Sequence, residues 1–106
     1  MSTLVVWDEA LLSYDLGDHP LNPVRVELTI ALARELGVLS RHGVRVVAPQ
    51  PADESALLRV HRPEYVAAVK AAPADPFFAG YGLNTPDNPV FDGMHEASAR
   101  VAGASL

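Results

Sequence analysis

The stretch GVRVVAP, residues 43–49, decides how this chain folds. Val44, Val46 and Val47 crowd β-branched side chains into a run that Pro49 closes, which predicts a short strand. The same pattern stands near the start in TLVVW, residues 3–7, apolar and without alternation, as expected of a strand covered on both faces in a parallel sheet. Between the two runs, Val24, Leu28, Ala31, Leu32 and Leu36 recur at helical spacing, and Gly37 supplies a stop. Strand, helix and strand make a β-α-β unit, whose strands run parallel and whose crossover is normally right-handed.

Outward from that unit, DLGDHPLNP (15–23) gathers Gly17, Pro20, Asn22 and Pro23 into one irregular loop. In DESALLRV (53–60), Asp53 can cap a short helix. RPEYVAAVKAA (62–72) predicts another, with Pro63 in its first turn and Val66, Val69 and Lys70 behind it. Residues 73–93 are rich in Pro, Gly, Asn and Asp and read as a long loop, a feature that compact domains keep for function or leave disordered. MHEASARVAGASL (94–106) places Met94, Ala97, Val101 and Ala104 or Ser105 on one helical stripe, and no breaker interrupts it before Leu106. Two strands cannot bury both faces of a parallel sheet. The expectation is therefore a fragment, or the first layer, of a larger α/β domain.

Composition narrows the function. A chain of 106 residues, 49% hydrophobic and 20% charged, builds one modest core. Its net charge of -5 and its lack of a Lys/Arg run argue against nucleic acid as a partner. With no cysteine there are no disulfides and no thiolate metal ligands, which suits a reducing compartment. MSTLVVWDEALL (1–12) lacks the basic start and cleavage site of a secretory signal, and no apolar run reaches membrane-spanning length. The expectation is a soluble cytoplasmic protein with no membrane partner.

The candidate chemistry is sparse. His19, His42, His61 and His95 include no pair at the i, i+4 spacing that sets two imidazoles on one helix face. HEASA (95–99) begins like a helical zinc motif but carries Ala99 where the second His belongs. His61 and Tyr65 flank a helix start and read as structural. In HPLNPVR (19–25), two prolines fix the backbone while Arg25 enters the first helical turn, where a cation opposes the helix dipole. Either a surface salt bridge or a functional task accounts for it. In TPDNPVFDG (85–93), Asp87 admits two readings as well. Its carboxylate accepts neighbouring N–H groups to close a turn, or a rigid loop holds it outward for the backbone N–H groups of a bound peptide.

Taken together and in this order, YDLGDHPLNPVRVELT (14–29), HRPEYVAAV (61–69) and DNPVFDGMHEASARVAGASL (87–106) resemble the N-terminal third of the histone deacetylase superfamily, most closely its bacterial acetoin-utilization branch. The resemblance implies a three-layer α/β/α arginase/deacetylase-type fold, with residues 1–106 forming the N-terminal part of a single domain. It implies hydrolysis of N-acetyl-lysine amides, with zinc polarising the carbonyl and activating water, His residues as general base and acid, and a Tyr donating to the oxyanion. In the family those groups and the zinc ligands lie downstream of this segment, so no catalytic or metal-binding residue is expected within it, and the segment alone is expected to be inactive. What carries over is supporting machinery. Asp87 matches the rim aspartate that accepts substrate N–H groups, Arg25 matches an arginine of the internal cavity below the zinc, and Tyr14 lies near that cavity. The implied substrates are acetylated proteins or small acetylated amines. An acetylpolyamine amidohydrolase, and a non-catalytic α/β binding module, are the alternative readings.

Overall fold

A computed structural model describes residues 2–106. The β-α-β unit is present. Strand β1 (Thr3–Val6) leads through an irregular loop to helix α1 (Val24–Glu35), which returns the chain to strand β2 (Val44–Val47). The strands pair in parallel, with Thr3 opposite Val44 and Val6 opposite Val47. Backbone bonds from Thr3 N–H to Gly43 C=O (2.7 Å) and from Trp7 N–H to Val47 C=O (2.8 Å) extend the ladder at both ends.

Local signals set the boundaries. Helix α1 stops where Gly37 turns left-handed at φ +74°, which a side chain would resist. There the Gly37 N–H reaches Arg34 C=O and the Val38 N–H reaches Ala33 C=O, the paired bonds of a Schellman ending. Helix α2 (Glu54–Leu57) is capped by Asp53, which accepts from the Ala56 N–H at 2.8 Å and from the Ser55 hydroxyl at 2.9 Å. The Ala56 N–H first, then the Ser55 hydroxyl, hold the Asp53 carboxyl below its ordinary value. Helix α3 (Pro63–Ala71) has Pro63 in its first turn. The long loop that follows contains two short 3-10 turns, Ala72–Ala74 and Pro76–Phe78.

Helix α4 (Met94–Gly103) ties the two halves of the chain together. Its Ala99 carbonyl accepts the Ala52 N–H at 2.8 Å, and Arg100 donates to the Ala10 carbonyl and the Ser13 hydroxyl in and beside the 3-10 turn Glu9–Leu12. Gly103 permits this approach, because a Cβ there would overlap the Gln50 carbonyl oxygen and sit 2.7 Å from the Ala52 nitrogen. The small core lies between α3, the loop and α4. Ala72, Leu83 and Met94 are buried in it, with Val69, Ala79, Val90 and Phe91 packed around them.

Two expectations are corrected. Helix α4 ends at Gly103 and gives way to a turn, so the stripe does not run helically to Leu106. Nor is β1 covered on both faces, since Leu4 stays exposed and the sheet has only two strands among the described residues. The helix that should cover it also shows an open apolar stripe, with Leu28 62%, Leu32 60% and Leu36 69% exposed. The radius of gyration is 16.0 Å, where a compact chain of this size has about 13 Å. The accessible surface is 7586 Å², where a compact chain of this mass has about 5,700 Å². The β-α-β unit is formed, but the layers that such a unit needs on its faces are not supplied by these residues.

Candidate functional site

The loop that carries Asp87 is held from below and from within. Leu83 on one side, and Val90 and Phe91 on the other, anchor it in the core. Inside it, Thr85 and Asn88 exchange backbone hydrogen bonds at 3.2 and 3.0 Å, and the Thr85 hydroxyl also accepts the Asn88 N–H at 3.0 Å. The Asn88 side chain donates to the Gly82 carbonyl at 3.2 Å. The turn is thus closed by Thr85 and Asn88. Asp87 accepts none of its bonds and projects a fully exposed carboxylate.

The reason lies in the prolines. Elsewhere in this chain Asp8, Asp15 and Asn22 each accept the N–H two residues on, at 2.9 to 3.0 Å. For Asp87 that position is Pro89, which has no N–H. The turn reading of Asp87 is therefore corrected by the structure, and Pro89 closes the i+2 route that the other three residues use.

Facing this loop is the irregular segment before α1. His19 is fixed at both ends, its backbone N–H on Gly17 C=O at 2.9 Å and its Nδ1 accepting the Leu21 N–H at 3.0 Å. An Nδ1 that accepts leaves the proton on Nε2. That nitrogen stands 3.9 Å from Oδ1 of Asp87. Sequence reasoning passed over His19 because a lone histidine in a proline-rich loop carries no spacing signal.

Beneath the two loops is a hollow of about 690 Å³, walled largely by apolar side chains of α4 and the segments facing it, including Leu21, Phe91 and Met94. Tyr14 lines it, and so do Asn88 and Pro89, the two residues after Asp87. Val26 of α1 lines it too, while Arg25 is exposed in the first turn of the helix. No carboxylate among the described residues pairs with Arg25, so the salt bridge that could account for its position is not found. The structure thus brings Tyr14 and the Asp87 loop to one hollow and leaves the Arg25 side chain on the surface.

A second, smaller hollow of about 200 Å³ is lined by His61, Tyr65 and His95. His61 and Tyr65 stack at 5.3 Å, and Tyr65 meets the edge of Tyr81 at 5.8 Å. This aromatic row braces Tyr81, whose φ of +57° is strained for a bulky residue. Among the described residues no three His, Cys, Asp or Glu side chains gather as metal ligands, and no helix is long and apolar enough to cross a membrane.

A parallel strand pair with a helical crossover, followed by an aspartate held outward on a proline-framed loop above an apolar hollow, defines an α/β protein. The histone deacetylase domain family matches residues 19–106, and the chain belongs to that family. The acetoin utilization protein AcuC of Bacillus subtilis (strain 168) is 40% identical over 84% of this chain and 24% of its own length. AcuC of Staphylococcus aureus (strain MSSA476) is 34% identical over 98% of this chain and 28% of its own. AcuC of Staphylococcus xylosus is 33% identical over 99% and 28%. The chain therefore spans about a quarter of the length of the curated relatives it matches. No solved structure matches it.

Proposed function

We propose that residues 1–106 are the N-terminal part of a single zinc-dependent deacetylase domain of the acetoin-utilization type, which completes a three-layer α/β/α fold and hydrolyses N-acetyl-lysine amides. The observation that carries the proposal is Asp87. Its carboxylate is spared from the turn, anchored through the core and presented to solvent beside the hollow. A carboxylate so placed accepts backbone N–H groups from an acyl-lysine peptide through charge-assisted hydrogen bonds. The excess of exposed surface and the bare leucine stripe of α1 support the second half of the reading, because a parallel sheet is stable only when helices cover both faces.

Tyr14, on the wall of the hollow, is assigned to the internal cavity of the complete domain, and so, on the family resemblance alone, is Arg25, whose side chain is exposed here. Zinc does not fit the residues described here, which offer no ligand cluster. No chemical step at a metal is assigned to them. The substrate is an acetylated protein or a small acetylated amine, and the protein acts in the cytoplasm.

The test is deacetylation by the domain completed to the length of its relatives. Activity on an acetyl-lysine peptide that is lost on chelation and restored by zinc is the expected result. Activity confined to acetylpolyamines would replace the substrate class, and inactivity on both would leave a binding module.

A further inference from the structure

Asp87 is fully exposed, and an exposed carboxylate samples several rotamers unless a neighbour restricts it. The structure offers one such neighbour. His19 is two-thirds of the chain away in sequence, yet its Nε2 stands 3.9 Å from Asp87 Oδ1, and its side chain is only 19% exposed. Its ring cannot turn freely, because Nδ1 is committed to the Leu21 N–H at 3.0 Å. The same bond fixes the tautomer, so Nε2, the nitrogen nearer the carboxylate, carries the proton. A donor held in place on one side and a carboxylate on a braced turn on the other form a two-part device. At 3.9 Å the contact is longer than a hydrogen bond. Rotation of the exposed Asp87 side chain, or one bridging water, closes the gap.

We infer that His19 is a positioning residue for Asp87: it directs one carboxylate oxygen inward and leaves the other for the substrate backbone. The inference rests on the reading of Asp87 given above. It involves no proton transfer, since the Nε2–H of neutral imidazole donates as it stands.

The two nitrogens of His19 can be separated by substitution. In the complete domain, His19→Asn keeps a short acceptor for the Leu21 N–H and removes the donor to Asp87. His19→Gln reaches Asp87 with an amide N–H and gives up the turn acceptor. The expected result for His19→Asn is a loss of roughly three- to tenfold in kcat/KM on an acetyl-lysine peptide, the worth of one ordinary hydrogen bond. It should fall mainly on KM, because the grip on flanking backbone is the same in ground and transition states. The melting temperature should hold, a small acetylated amine should be turned over as before, and His19→Gln should recover part of the loss. Combined with Asp87→Asn, His19→Asn should cost nothing further, since the group it positions has already been altered.

Losses that multiply in the double variant would overturn the inference. So would a His19→Asn enzyme that matches the parent while Asp87→Asn is impaired, and in that case the role of Asp87 stands. If Asp87→Asn is itself silent, the substrate reading of Asp87 and the role of His19 fall together. If His19→Asn is silent and His19→Gln only lowers the melting temperature, the ring serves only its own turn and the inference is overturned.

Discussion

Replacing Gly103 by Ala tests how α4 is docked. The added Cβ would overlap the Gln50 carbonyl oxygen and lie 2.8 Å from its carbon and 2.7 Å from the Ala52 nitrogen. All three are backbone atoms, so no side chain can swing aside, and the helix must move away from residues 50–52. That movement costs about 1–3 kcal/mol as overpacking. It also stretches the bond from Ala52 N–H to Ala99 C=O, now 2.8 Å, which is worth roughly 0.5–1.5 kcal/mol. Against this stands the better helix propensity of Ala, about 1 kcal/mol. The net expectation is a destabilisation of about 1–3 kcal/mol, read by urea unfolding of the complete domain. Hydrogen exchange at the Ala52 amide should quicken about tenfold or more for a local opening of this size. A Gly103→Ala protein that is stabilised, with Ala52 protected as before, would refute the docking described for α4.

Three further outcomes are expected. If Arg25 belongs to the internal cavity of the complete domain as proposed, Arg25→Ala should lower kcat more than it raises KM, because such a group serves active-site organisation rather than initial binding; unchanged steady-state constants would make it an ordinary surface residue. The cap of α2 should weaken in acid: the folded carboxyl of Asp53 lies below its ordinary value, so its contribution is present above about pH 4 and is lost as pH falls through the folded value. Asp53→Asn should remove that acid dependence from the Ala56 amide exchange, and an unaltered profile would contradict the assignment. The isolated 106-residue chain should retain no stoichiometric zinc after dialysis and should not hydrolyse an acetyl-lysine peptide; tight one-to-one zinc with activity would contradict the placement of the metal site outside it.

The sequence was most legible where one residue decides one local geometry. Asp53 capped its helix, Pro63 opened α3, and Gly37 closed α1, because each acts on backbone within a few residues of itself. The two β-branched runs paired in parallel for the same reason that they were readable, since Val44, Val46 and Val47 have few other uses. Burial was not legible. Leu4, Leu28, Leu32 and Leu36 carry core-like side chains at core-like spacing, yet whether they are covered depends on layers these residues do not provide. At the site, the pattern around Asp87 left turn and outward carboxylate open; Pro89 removed one donor, and the closure of the turn by Thr85 and Asn88 decided it. His19 was invisible, because its approach to Asp87 is a tertiary fact with no local sequence mark.

The central claim is that this chain brings a substrate-gripping carboxylate to a deacetylase domain. Asp87→Asn tests it most directly, since the amide keeps the size of the side chain while the charge and half the acceptor capacity are lost. The turn is closed by Thr85 and Asn88, so the melting temperature should not change. Removing a hydrogen bond to a charged group costs about 1.5–3 kcal/mol, or roughly ten- to a hundredfold in kcat/KM on an acetyl-lysine peptide. A small acetylated amine without flanking backbone amides should be hydrolysed at nearly the parent rate. Equal losses on both substrates, or no loss on either, would contradict the account.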